Sequence, residues 1–216
     1  MASNASSETS DTAASPAGAA EIAHDTGAVP PTDPFALPGP ITADTSPDDL
    51  RHIYGPANVI QGDVPGAEGA TAHGITLFPN DPKRRAFVYF EDQDKLKQLS
   101  MVSITGDGSQ WHGAQGVRCG MPLAELVAAN AGPFELLGFD WDYGGQVIDW
   151  LGGRLASASD APTLRVQLRH GALPKNVPYS KLPIGDRTFR SDHPQMAKMQ
   201  AVVEGISISF PGIDDQ

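Results

Sequence analysis

The sequence is poor in cysteine: Cys119 is the only one among 216 residues, which excludes an intrachain disulfide and a multi-cysteine zinc site. It also lacks any apolar run long enough to cross a bilayer as a helix. Positive charge is scarce as well. Fifteen Lys and Arg face 26 Asp and Glu, a formal net charge of −11, and this argues against a nucleic-acid backbone or an anionic membrane surface as the main partner. Histidines stand at 24, 52, 73, 112, 170 and 193 without His-x-x-x-His or related spacing, so the sequence nominates no metal and no cofactor. Gly108-Ser109-Gln110-Trp111-His112-Gly113 lacks the Gly-x-Ser-x-Gly frame of a nucleophile elbow. Cys119 could serve as a thiolate only if the fold carried His112 to it, and the alternative is a small buried hydrophobe. No catalytic residue is nominated.

From Met1 to about Pro40 the chain is Ala, Ser, Thr and Pro with five acidic residues, no Lys or Arg, and one aromatic, Phe35. Such a stretch buries too little apolar surface to offset the entropy of ordering it, and a disordered tail over 1–40 is expected. It has neither the positive start nor the apolar centre of a signal peptide. Two readings stay open: an ordinary flexible tail, or the spacer of an exported or lipid-anchored protein whose signal preceded Met1.

Order is expected to begin at Ile41. Ser46 as cap, Pro47 at the first helical position and Asp49 three residues after the cap predict a helix start, with Leu50, Ile53 and Tyr54 as its buried stripe and Gly55-Pro56 as its stop. The same grammar recurs: Met121-Pro122 opens a helix with Leu123, Leu126 and Val127 on one face, and Gly132-Pro133 closes it, glycine taking the left-handed position. Strand pairs follow each helix: Asn58-Val59-Ile60 then Gly74 to Phe78, and Phe134 to Leu137 then Gln146 to Leu151. Each half adds two more, Arg85 to Glu91 and Met101 to Thr105, then Leu164 to Arg169 and Ile206 to Phe210. Clean alternation in these strands predicts one buried and one wet face, the mark of antiparallel pairing. The expected fold is therefore α+β: two tandem helix-plus-antiparallel-strand repeats, 41–115 and 116–216. They would supply about eight strands and two short helices packed on one face.

The helix, the Gly-Pro stop and the antiparallel strands that follow resemble the repeat unit of the small outer-membrane lipoproteins of the SmpA/OmlA type and of the β-lactamase inhibitory proteins, which carry it twice. The wording Gly138-Phe139-Asp140-Trp141-Asp142-Tyr143-Gly144-Gly145 looks like a signature of exported proteins or lipoproteins of proteobacteria. The resemblance covers about Ile41 to Phe210. It implies a non-enzymatic, protein-binding role with another envelope protein as partner, and a periplasmic or outer-membrane-anchored location. The inhibitory proteins hold their repeats with disulfides that one cysteine cannot supply.

Two stretches are candidate binding surfaces. In the aromatic turn, Asp140 or Asp142 is expected to bond to backbone N–H groups, with Trp141 or Tyr143 as anchor. If Trp141 and Tyr143 are exposed together with Trp111 or Trp150, they make an interface patch. A calcium loop is a poor fit, since Leu151 stands where the bidentate Glu would be. The second stretch is the insertion 171–200. From Arg165 to Lys198 there are seven Lys or Arg against two Asp, so it is either a solvated excursion or a basic lip whose contacts include Tyr179, Arg187, Phe189 and Arg190. Three function classes remain: a binding module for another protein, a small-ligand or glycan-binding domain, and a hydrolase with a site assembled in space.

Overall fold

The computed structural model describes residues 33–212. Helix α1, Pro47–Tyr54, forms as its residues dictate. Ser46 Oγ accepts from the Asp49 N–H while the Asp49 carboxylate accepts from the Ser46 N–H, closing a capping box, and Pro47 occupies the first turn. Helix α2, Leu123–Asn130, differs from expectation at both ends. Pro122 is the cap residue, and the left-handed residue is Ala131 (φ +60) rather than Gly132. The reason is that the Ala131 and Gly132 N–H groups turn back to the carbonyls of Ala128 and Val127, which closes the helix one residue early. Asn130 is fully buried there. Its amide donates to the carbonyls of Gly132, Pro133 and Trp150 and accepts from the Leu155 N–H, which ties the helix end to the next hairpin.

The strands are β1 (Val59–Pro65), β2 (Thr71–Leu77), β3 (Ala86–Asp92), β4 (Lys97–Thr105), β5 (Glu135–Leu137), β6 (Val147–Asp149), β7 (Thr163–Arg169), β8 (Thr188–Arg190) and β9 (Val202–Ser209). They make a six-stranded sheet in the order β1-β2-β3-β4-β9-β7 and a three-stranded sheet in the order β6-β5-β8. Every strand ladder is antiparallel. The α+β class with two helices and antiparallel sheets thus holds for the described residues.

The strand order does not display two equal repeats. The hairpin after α1 opens the large sheet, whereas the hairpin after α2 sits in the small one. The physical reason is a rival partner: β8, from within the insertion, pairs with β5 along Glu135–Arg190, Leu136–Phe189 and Leu137–Thr188. The insertion is therefore no solvated excursion. It contributes β8 and buries Leu182, Ile184, Met196 and Met199.

Residues 1–32 of the expected tail lie outside the described residues. Residues 33–40 are ordered on the core, so the expected boundary at Ile41 comes too late. Leu37 is buried, Phe35 packs edge-on against Trp111 at 5.3 Å between ring centroids, and Tyr54 Oη donates to the Pro34 carbonyl at 3.1 Å. One aromatic and one leucine dock a segment whose average composition is that of a tail.

Buried residues from both halves, among them Leu50, Tyr54, Val102, Ile104, Leu126, Val166 and Ile206, belong to a single core cluster. The opposite face of the large sheet carries the alternating partners. One cross-strand row runs Ile60, Thr76, Phe87, Ser103, Ser207, Arg165 over all six strands. None of these six is buried.

Candidate binding surface

The aromatic turn stands at the edge of that open face. Its backbone is held from two sides. The Gly138 N–H reaches the Arg187 carbonyl, Phe139 exchanges bonds with Pro183 and Gly185, and Gly145 donates to Leu137 while accepting from the Leu168 N–H on β7. Glycine is required at Gly145, with φ +78 and its missing Cβ facing the Leu168 carbonyl, and at Gly144, where a Cβ would come within 2.8 Å of the Gly138 carbonyl oxygen. The backbone of the turn is thus held, but its anchor differs from expectation. Phe139 is the buried ring, at 2% exposure, while Trp141 is 58% and Tyr143 67% exposed.

Asp140 also departs from expectation, its carboxylate serving side chains instead of turn N–H groups. Oδ1 lies 2.7 Å from His170 Nε2, and Oδ2 accepts from Tyr179 Oη at 3.1 Å. The other nitrogen of His170 faces the Gly171 carbonyl at 2.6 Å. A neutral imidazole has one N–H and satisfies only one of two acceptors, so this arrangement is that of an imidazolium. Burial disfavours that charge, yet the hydrogen bonds to Gly171 and Asp140 outweigh it and raise the His170 pKa above its ordinary value. The same Asp140 bond raises the Tyr179 pKa. Three segments meet here: the turn, the end of β7 and the 3-10 turn Tyr179–Lys181 of the insertion. The Phe139 ring packs edge-on against His170 at 5.6 Å.

Tyr143 borders a depression of about 290 Å³ on the open sheet face, whose lining includes Ser103, Gln146, Arg165 and Ser207. A second depression, of about 390 Å³, adjoins it through Thr105, Gln167 and Gly205 and ends at Asp107, Arg169 and Glu204. Together they form a trough across β4, β9 and β7 whose lining is rich in polar side chains. The neighbouring part of the same face, over β3 and β4, is only half covered and carries Phe87, Tyr89 and Met101. A wider, mainly apolar groove of about 720 Å³ lies elsewhere, between the first turn of α2 and residues 191–202.

The other candidate residues do not gather at this face. Trp111 is no interface residue. It is fully buried, and its indole donates to the Arg84 carbonyl at 2.7 Å between Phe35 and Tyr54. Trp150 is buried against Phe134. Arg187 lies over the Phe189 ring at 5.0 Å, and Arg190 grips Asp192 through two nitrogens at 3.1 and 2.9 Å, which occupies the charge expected of a basic lip. Asp142 and Trp141 stay exposed. Cys119 Sγ points at the Ile104 carbonyl at 3.7 Å, and His112 Nε2 faces Asp33 at 3.0 Å, so the two form no thiolate pair. Burial pushes the Cys119 thiol up to about 11. The trough residues Ser103, Arg165, Gln167 and Ser207 are not among the candidates that the sequence motifs single out. Their signal lies in the polar members of the alternating strands, which announce strand pairing first and a shared wet face only once the strand order is known. His170 carries no local signal at all, since its partner Asp140 is thirty residues away.

Comparison of the chain with family models, with curated proteins and with solved structures finds no match.

Proposed function

We propose that this chain is a non-enzymatic binding protein of the bacterial envelope, periplasmic or anchored at the outer membrane. It engages another envelope protein through the open face of its large sheet and the aromatic turn. The observation that carries the reading is the pairing of two exposed aromatics, Trp141 and Tyr143, with a backbone pinned on both sides. A backbone held in place before binding leaves only the side-chain rotamers to be ordered on association, which is what recognition residues need. The half-covered Phe87, Tyr89 and Met101 extend an apolar surface beside them. The envelope location rests on the Gly138–Gly145 wording and the composition of 1–40, and the doubled helix-then-hairpin unit (α1-β1-β2, α2-β5-β6) belongs to the same resemblance. The acidic balance of the chain supports a partner other than nucleic acid.

The test replaces both exposed aromatics, Trp141→Ala with Tyr143→Ala, and measures thermal melting beside capture of envelope proteins by a photo-crosslinker placed at Phe87. The expected result is an unchanged melt and loss of one defined crosslinked species. Survival of that species in the double variant overturns the reading. The trough favours a second reading, a small-ligand site on the same face.

A further inference from the structure

We propose that the trough across β4, β9 and β7 is a saccharide site selective for sugars that carry a carboxylate. Gly205 belongs to both parts of the trough, set in register between Thr105 and Gln167. The floor there is backbone alone: Gly205 is buried, and a Cβ at this position would stand 3.1 Å from the Ile104 carbonyl oxygen. Around the floor lie the hydroxyls of Ser103, Thr105 and Ser207. Hydroxyls both donate and accept, which suits the sugar hydroxyls that do the same. Tyr143, at the rim, offers a flat apolar face to the C–H side of a pyranose.

The selectivity comes from Arg165. Its Nε donates to Ser209 Oγ at 2.9 Å, which leaves the two terminal nitrogens for an incoming group. Among the described residues no carboxylate lies within ion-pair distance of it. Arg169, at the far end of the trough, is instead bonded to Asp107 at 2.7 Å. The trough therefore has one end where a guanidinium fork is open to an incoming carboxylate and one end where Arg169 is already bonded to Asp107 beside a second carboxylate, Glu204, which disfavours an anion there. Because the protein is acidic overall, an anion is not drawn in by the long-range field, and this short-range fork must hold it. An extended acidic peptide fits less well, since the floor has hydroxyls where alternate peptide side chains would need pockets. The site does not depend on the protein-partner reading, and the two fail separately: this one in a titration with pure sugars, that one in crosslinking.

The full chain, labelled with nitrogen-15, is titrated with trigalacturonate, with maltotriose as its neutral counterpart, and with triglutamate. The expected result is that trigalacturonate moves the amides of residues 103–105, 143–146, 165–167 and 205–207 and binds at least about tenfold more tightly than maltotriose. Arg165→Gln should weaken trigalacturonate by about 10- to 100-fold, to the level of maltotriose, and Arg165→Lys should keep part of the preference. Dispersion of the variant spectra checks folding, and Arg165 is exposed on its strand. The proposal is overturned if no sugar moves these amides, if maltotriose binds as well as trigalacturonate, or if Arg165→Gln leaves the preference intact. Triglutamate binding as tightly as trigalacturonate would assign the trough to acidic peptides and overturn it equally.

Discussion

Trp111 and Trp141 share a residue type, and the sequence offers both for one exposed patch, yet the fold gives them opposite roles. Replacing each by Ala measures the difference. Trp111 is fully buried between Phe35 and Tyr54. Truncating a buried Trp removes its transfer energy and leaves a cavity that neighbours only partly fill, about 3–5 kcal/mol. The Arg84 carbonyl also loses its indole donor, at a further cost of about 1 kcal/mol. The sum, about 4–6 kcal/mol, is a large part of the roughly 5–15 kcal/mol that a typical domain holds in total. At about 2–4 °C per kcal/mol for a domain of this size, Trp111→Ala should lower the Tm by about 8–24 °C. Trp141, at 58% exposure, should cost no more than about 0.5 kcal/mol, or about 2 °C. Circular dichroism melts of both variants decide the matter. A Trp111→Ala protein melting within about 3 °C of the parent, or a Trp141→Ala protein losing more than about 5 °C, would refute the assignment of one ring to the core and the other to solvent.

Two further outcomes follow from the titrating groups. The folded-state pKa of His170 lies above its unfolded value, so its network with Asp140 contributes fully below an unfolded pKa of about 6.5 and is lost as pH rises through the raised value. A carbon-13 titration of the His170 ring should place its midpoint above the ordinary value of about 6.5, and Asp140→Asn should lower it; an unmoved pKa in that variant would show that the carboxylate does not hold the proton. Cys119, buried with its thiol pushed up to about 11, should stay unmodified by iodoacetamide at pH 8 in the folded protein and react once it is unfolded. Rapid labelling of the native chain, read by mass, would count against its burial.

Local chemistry is the legible part of this sequence. The capping box of Ser46 and Asp49 lies within four residues and forms as its residue types require, and the alternation of Leu164, Val166 and Leu168 against Arg165, Gln167 and Arg169 gives the correct buried face of β7. What stays hidden depends on contacts far apart in the chain. Pattern alone cannot tell that β5 takes β8 as neighbour, because three-residue strands carry almost no periodicity. Nor can it say which tryptophan is outside. Trp111 is buried by Phe35 and Tyr54, more than fifty residues earlier in the chain, while Trp141 projects from a turn whose single buried ring is Phe139. In the site, the glycines locate the turn, but the role of Asp140 depends on His170 and Tyr179, neither of which is near it in sequence.

The position of β9 has a consequence for how the chain comes to be folded. It is the last described strand to be synthesised, yet it occupies an interior place in the large sheet, between β4 and β7. Until it emerges from the ribosome, β1 to β4 can form a meander whose fourth strand, with Val102 and Ile104 on its apolar side, presents an unpaired edge. β7 meanwhile lacks the neighbour that gives it a place in the sheet. Contacts of such long sequence separation form slowly, and an open edge of this kind is the template on which chains pair wrongly with one another. Truncation within Val202–Ser209 should therefore yield aggregates, and a holding chaperone should be needed longest over the synthesis of β9.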